Sequence, residues 1–355
     1  MSAPEDPADR FAERVFGSAL GYFEILSVYL GLRLGLYAAL ENGHPRTSQE
    51  VAADAGVVER YAREWLEQQA TRGILVADVS GPTATFTLPA AHREVLLDRD
   101  SLSYLGAGIR QLLSLRGVID HVAEAFRSGG GVPYEAYGIE SVDGQGYANR
   151  PTFLATLPRE WLPAIPDLHR RLSGDGVRIV DVGCGTGWSS IAVAGAYPGV
   201  RVDGFDADET SVRKASRNAE DAGLADRVRF HASDAAAIEG PVDVAMAFEC
   251  IHDMARPVEV LSAVRHALAD DGLMLIVDER TKDTFTGEVD DRESYLYGWS
   301  VFDCLPAGMH EQPSAATGAV MRPDTLRRYA TEAGFSGFEV LPIEHTTFRL
   351  YLLRP

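Results

Sequence analysis

Short apolar runs recur through the second half of the chain, and each closes on a glycine or an acid. The runs are Val177–Val182, Arg201–Asp206, Val228–Asp234, Val242–Phe248 and Leu273–Asp278. Their length and β-branched content predict buried strands rather than helices. Helical periodicity lies between them, over Ser189–Ala196 and over Val258–Ala269, the latter followed by the turn Asp270-Asp271-Gly272. Strands alternating with helices predict βαβ units and a parallel sheet. A last helix over Asp324–Ala333 and two strands over Gly337–Leu341 and Phe348–Leu353 close the pattern.

The first hundred residues follow a different plan. Thr47 or Ser48 can cap a helix that Gly56 stops, and a second helix is predicted over Glu59–Arg72 with Tyr61, Trp65 and Leu66 on its apolar face. Gly73–Asp78 and Thr83–Leu88 then pair as a hairpin around Ser80-Gly81-Pro82. Two helices and a hairpin make a winged helix. Ahead of it, Gly21–Leu40 is apolar enough to raise the question of a membrane span, but Glu24 and Arg33 interrupt it. A buried helix at a subunit interface is expected instead. The predicted organisation is a mainly α winged-helix domain over residues 1–105, a helical linker over 106–160 and an α/β domain over 161–355. Within the linker, helices are expected over Tyr104–Leu115 and Val118–Phe126, broken at Gly129-Gly130-Gly131, and Tyr134–Pro151 reads as a loop able to reach the site.

Charge narrows the partners. A net charge of −19 on 355 residues disfavours a phosphate-backbone binder. The second winged-helix helix sets Arg60, Arg63 and Arg72 against Glu59, Glu64 and Glu67, which leaves no basic face for DNA. Cys184, Cys250 and Cys304 lie far apart without metal-ligand spacing, and the N-terminal residues form no leader pattern, so a reducing cytoplasm is expected.

The chemistry concentrates where the first strand breaks into Gly183-Cys184-Gly185-Thr186-Gly187. Glycines two apart let a ligand approach the backbone at a helix N-terminus. A dinucleotide fingerprint needs glycine at its sixth position, and Trp188 stands there. Asp206, about twenty residues on, offers only acceptors and suits two ribose hydroxyls. With Asp181 two residues before the first glycine, the motif resembles the first motif of class I S-adenosylmethionine (AdoMet) methyltransferases. The chain as a whole resembles the two-domain bacterial small-molecule O-methyltransferases of actinomycete type, in which a winged helix serves dimerisation.

The resemblance implies a Rossmann-like methyltransferase sheet, AdoMet as cofactor and a homodimer. Carried over by residue, the cofactor positions are Asp181, Gly183, Gly185, Gly187, Asp206, Ala207, Asp234, Ala235, Phe248 and Glu249, with Asp234 taking the adenine amino group. His252-Asp253 resembles the His-Asp-Trp motif of plant-type O-methyltransferases, which makes His252 the general base, although Met254 replaces the tryptophan. Glu249 is either an alternative base or a holder of the AdoMet amino group. Asp253 is expected to start the following helix, and no carboxylate is evident to orient His252. Asp278-Glu279 lacks the Asp-Asn pair of the Mg²⁺-dependent catechol type, so no metal is expected and Glu279 is read as solvent-facing or pocket-lining. The acceptor implied is a small aromatic or apolar molecule, held by the aromatic-rich Arg280–Met321 insertion acting as a lid or binding loop. Methylation of nitrogen or carbon, an AdoMet-sensing regulator, and a protein of this fold that has lost transfer are the alternatives.

Overall fold

The computed structural model describes residues 6–234 and 237–355, which divide into two compact units, one ending at Leu113 and one running from Ser114 to Pro355.

The first unit contains α1 (Pro7–Leu34), β1 (Arg46–Thr47), α2 (Ser48–Ala55), α3 (Glu59–Thr71), β2 (Val76–Asp78), β3 (Thr85–Thr87), α4 (Ala90–Leu97) and α5 (Gly106–Ser114), whose last residue crosses the division. Thr47 is the N-cap of α2: its hydroxyl accepts from the Glu50 amide while the Glu50 carboxylate accepts from the Thr47 amide, a reciprocal capping box. The winged helix is completed by β1, β3 and β2 in one small antiparallel sheet. Leu40, Val51, Trp65, Leu66, Phe86 and Leu88 form its core.

One expectation changes here. The apolar stretch at Gly21–Leu40 is only partly buried within the chain. Most of it belongs to the long α1, which leaves Phe11, Phe16, Tyr22 and Phe23 largely exposed, while Val28 and Tyr29 near its end, and Leu36, Tyr37 and Leu40 past it, are buried. By length and composition α1 could cross a membrane, with Glu24 and Arg33 interrupting its Gly21–Leu34 part.

The second unit opens with α6 (Ile119–Ser128), α7 (Ile139–Thr156) and α8 (Pro166–Leu172). Then come β4 (Val177–Val182), α9 (Trp188–Ala196), β5 (Val200–Asp206), α10 (Glu209–Asp221), β6 (Val228–Ala232), β7 (Val242–Phe248), α11 (Pro257–Ala267) and β8 (Leu268–Glu279). The chain closes with α12 (Asp291–Trp299), α13 (Leu305–Gly308), α14 (Pro323–Glu332), β9 (Gly337–Val340) and β10 (Phe348–Arg354).

The seven strands order as β6-β5-β4-β7-β8-β10-β9, with β4 to β8 parallel and β10 antiparallel to both its neighbours. This is the Rossmann-like methyltransferase sheet that the strand pattern and the resemblance imply. Side chains alternate as a sheet buried on both faces requires. Ile179, Val244, Met246, Leu275 and Leu350 pack with Trp161 and Leu168 on one face. Val180, Ala245, Met274, Ile276 and Tyr351 pack with Leu261, Leu326 and Tyr329 on the other. Strand order reverses between β4 and β7, so the crevice outside their carboxyl ends is where this topology leaves room for a ligand.

Three local readings are corrected. Residues 134–151 do not form a loop: Tyr134–Tyr137 make a 3₁₀ turn and the rest lies in the 18-residue α7. Gly144, Gly146 and Pro151 lower helix propensity, but tertiary contacts override it. Val142 and Phe153 are buried, and Asp143 pairs with Lys214 of α10 at 2.5 Å. Second, Asp270–Gly272 is not a turn between elements but an irregularity within β8, where the register against β7 passes from Leu268 to Leu273 over two residues of β7. Third, the Arg280–Met321 insertion is not all loop, since its centre, residues 291–308, is helical. Asp290 caps α12, and Glu293 pairs with Arg322 at 2.8 and 3.1 Å, tying the insertion to the start of α14.

The capping box gives a direct test. Thr47→Ala removes the side-chain acceptor and is expected to lower stability by about 1 kcal/mol. Urea denaturation followed by circular dichroism measures this, and Thr47→Ser, which keeps the hydroxyl, is expected to hold the midpoint.

Candidate active site

Each parallel strand delivers its last residues to the same edge of the sheet. At the end of β4, Gly183, Gly185 and Gly187 have φ of 66°, 52° and 82°, the left-handed region that side chains resist. Space also excludes side chains at two of them: a Cβ at Gly183 would lie 2.6 Å from Cys250 Cβ, and one at Gly187 would lie 2.5 Å from the Phe230 ring. A Cβ at Gly185 would meet nothing, so the turn is open there.

Two acids fix this turn. Asp181 is fully buried, and its Oδ2 accepts from the hydroxyls of Ser189 at 2.6 Å and Ser190 at 2.7 Å, pinning the start of α9. Burial outweighs those donors and pushes its carboxyl up to about 6. Asp206, at the end of β5, accepts from the Gly185 amide and the Asp208 amide, both near 2.9 Å or closer. Each of its oxygens retains a lone pair for a further donor. Burial also raises the Asp206 carboxyl. Ala207 follows it, exposed, and Asp234 is exposed past the end of β6. Ala235 lies outside the described residues.

α7 lies over the turn. At Gly146 a Cβ would collide with the Thr186 side chain, so only glycine lets the helix come this close. Tyr147 meets Trp188 with ring centroids 6.3 Å apart, and the Arg150 guanidinium sits 4.9 Å from the Trp188 ring. Gln145 donates to Glu249 Oε2 at 3.2 Å, and Asn149 adds a second side-chain hydrogen bond to that carboxyl.

The end of β7 carries Phe248 and Glu249. The Phe248 ring is buried against Phe153, with centroids 5.2 Å apart. Glu249 has a φ of 51°, unusual outside glycine, and its amide donates to the Val277 carbonyl at 2.8 Å. Burial raises its carboxyl to about 7 against the pull of Asn149, His252 and Gln145. Glu249 Oε1 is a buried oxygen with no partner among the described residues.

His252 follows in a 3₁₀ turn, Ile251–Asp253, and is buried. Its Nδ1 lies 2.6 Å from Asp278 Oδ1, and its Nε2 lies 3.1 Å from Asp253 Oδ1. Burial opposes the imidazolium, but Asp253 and Asp278 outweigh it and hold the imidazole well above its ordinary value. The structure thus supplies the orienting carboxylate that the sequence did not reveal: Asp278, buried at the end of β8. Asp253 does not start a helix either. α11 begins at Pro257, and Asp253 instead faces the imidazole. Glu279 is not solvent-facing: its Oε2 is buried, and its carboxyl is raised far above the usual range by burial and by Glu249.

The structure therefore gathers Asp181, Gly183, Gly185, Gly187, Asp206, Glu249 and His252 along one edge. It adds Gln145, Asn149 and Asp253, which periodicity could not place. The Asp278-Glu279 pair at a strand end was the one available signal for the orienting acid.

Comparison with known proteins bears on the domains and the fold. Residues 173–334 match a family model described as a methyltransferase domain, and residues 24–99 match an Rv2258c-like winged HTH domain. The ubiquinone biosynthesis O-methyltransferase of Cereibacter sphaeroides (strain KD131) is 31% identical over 170 residues, covering 47% of this chain and 64% of the relative. That of Caulobacter sp. (strain K31) is 28% identical over 167 residues, covering 46% and 61%. The chain thus spans less than two thirds of the length of these relatives. Among solved structures, mitomycin 7-O-methyltransferase MmcR aligns with a TM-score of 0.74 at 20% identity, over 98% of this chain and 99% of that one. Human N-acetylserotonin methyltransferase, solved with SAM, aligns at 0.70 and 18% identity over 100% and 99%. At such identities the likeness establishes the fold.

The raised Asp181 carboxyl yields a stability prediction. Its ionised form is disfavoured in the folded state, so the contribution is present below the ordinary aspartate value of 3.8 and is lost as pH rises through about 6. Thermal melts of the ligand-free protein across that window should show wild type losing stability relative to Asp181→Asn, by on the order of a few kcal/mol. Parallel curves for the two proteins would contradict the assignment.

Proposed function

We propose that this chain, which carries a class I, S-adenosylmethionine-dependent methyltransferase domain behind a winged helix-turn-helix domain, moves the methyl group to a hydroxyl on a small aromatic molecule, with His252 as the base. The observation that carries this reading is the buried Asp278–His252 pair, set on the same sheet edge as the glycine turn.

The residues suit the cofactor. Open space at Gly185, spare lone pairs on Asp206 and unpartnered buried oxygens on Asp181 and Glu249 favour a polar, cationic ligand. Bound AdoMet supplies a methyl group on a sulfonium, open to in-line displacement. The chain has then to position the acceptor, exclude water and take a proton. Asp278 fixes the imidazole through Nδ1, which directs Nε2 toward Asp253 and the half-exposed side of the turn. For transfer, Nε2 first gives up the proton it shares with Asp253 to solvent, then takes the acceptor hydroxyl in place of that carboxylate and receives its proton. α7 shields the cofactor side through Gln145, Tyr147 and Arg150. Glu249, already bonded from Gln145 and Asn149, is assigned to cofactor binding rather than to proton transfer.

Two observations support a second copy of this chain, rather than DNA, as partner of the winged unit. Arg60 pairs with Glu64 and Arg63 with Glu59 along α3, so its guanidinium groups are neutralised. Meanwhile α1 exposes Phe11, Phe16 and Phe23 along one helix, apolar surface of the kind a partner covers. Sedimentation should give a dimer, and Phe16→Glu with Phe23→Glu should shift it to monomer.

The catalytic test is methyl transfer to a panel of phenols, flavonoids, amines and indoles, read by mass spectrometry. His252→Ala should lower the rate on phenols by about 10²–10⁴-fold, and Asp278→Asn should lower kcat more than it raises KM. Glu249→Gln should act chiefly on KM for AdoMet. Transfer undiminished in His252→Ala would move the reaction to nitrogen or carbon, or the base to Glu249.

A further inference from the structure

The helical insertion after β8 brings a third donor to the imidazole. Past α12 the chain passes through a π-helical turn, Ser300–Cys304, a local widening that recurs at functional sites. It delivers Cys304, distant in sequence, against the His252 side chain. One donor atom each from His252, Asp253 and Cys304 lies within 4.8 Å of the others.

From this geometry we propose that His252, Asp253 and Cys304 form a binding site for a thiophilic divalent cation of the Zn²⁺ type. The donor set decides the class of ion. Imidazole, carboxylate and thiolate together match Zn²⁺ and its Co²⁺ surrogate, whereas Mg²⁺ and Ca²⁺ demand oxygen. Bond lengths of about 2.0 Å to nitrogen and 2.3 Å to sulfur put tetrahedral donors roughly 3.3–3.8 Å apart, so modest side-chain movement closes the site.

The surroundings support it. Asp278 at 2.6 Å from Nδ1 fixes the tautomer that leaves Nε2 as a ligand, the carboxylate–histidine–metal arrangement of established sites. The Asp253 side chain is 43% exposed, which gives an ion a way in and leaves a coordination position for water or a ligand. The π-helical turn gives the arrangement a backbone cause independent of the acids at the sheet edge. Binding displaces two protons, that of the Cys304 thiol and that on His252 Nε2, and occupies the Nε2 lone pair. Because that lone pair is the one assigned to proton transfer, an ion here also blocks the base. This second consequence, unlike the site itself, rests on the functional reading above.

The test is Co²⁺ titration of the chelator-stripped, full-length protein followed by absorption. The expected result is one equivalent of Co²⁺ giving intense tetrahedral visible bands and a near-ultraviolet thiolate-to-cobalt band. Cys304→Ser should lose the near-ultraviolet band, and Asp278→Asn, which retains all three donors, should weaken binding by about 10–100-fold. Weak octahedral absorption alone, or a thiolate band that persists in Cys304→Ser and therefore comes from Cys184 or Cys250, would overturn the site. Thermal melts confirm that each variant is folded. A second arm adds Zn²⁺ to the transfer assay. Inhibition reversed by chelator supports both readings. A cobalt site with transfer untouched by Zn²⁺ keeps the metal site and removes His252 as base.

Discussion

Everything at this site depends on burying carboxyl groups along one edge of a parallel sheet. Successive strands run the same way, so the acids that end β4, β5 and β8, and the glutamate that follows β7, are brought to one side. Taking such groups from water is costly unless donors meet them. Ser189 and Ser190 meet Asp181, backbone amides meet Asp206, Gln145 and Asn149 meet Glu249, and His252 meets Asp278. The match is incomplete: Asp181 Oδ1, Glu249 Oε1, Asp278 Oδ2 and Glu279 Oε2 stay buried without a hydrogen-bonding partner among the described residues. An edge built this way is unfavourable as it stands and favours whatever brings positive charge or further donors to it.

The remaining elements can be understood as supports for that edge. The glycine turn opens it, because side chains at Gly183 and Gly187 would collide with Cys250 and Phe230. α7 covers it, and its glycines, which weaken the helix in isolation, are what permit the approach to Thr186. The insertion holding α12 and α13 is anchored through Glu293 and Arg322 and brings Cys304 to the imidazole. On the proposed readings, the same imidazole is set by Asp278 for proton transfer or, with Asp253 and Cys304, for an ion.

Much of this was legible in the sequence, and the part that was not has physical causes. The strands were readable because a sheet covered on both faces needs continuous apolar runs, and β7 falls on Val242–Phe248 as expected. The capping box at Thr47 and Glu50 was readable because it is local. α7 was not, since Gly144, Gly146 and Pro151 argue against a helix that only packing can justify. Nor was the face of α1, because whether an apolar stretch is covered depends on what packs against it. The candidate site divides the same way. Glycines and strand-end acids are signalled by position in the chain. The contacts of His252 with Asp278 and Cys304 join residues whose proximity no spacing rule encodes.

The central claim is that this acidic edge is completed by a cationic cofactor, and calorimetric titration with AdoMet tests it most directly. Runs near neutral pH in two buffers of different ionisation enthalpy separate binding from proton release. Burial holds the Glu249 carboxyl up to about 7, and a nearby sulfonium lowers it. Saturable binding of one equivalent per chain with net proton release is expected, and less release with the uncharged S-adenosylhomocysteine. Absence of binding, or equal proton uptake with both ligands, would contradict it.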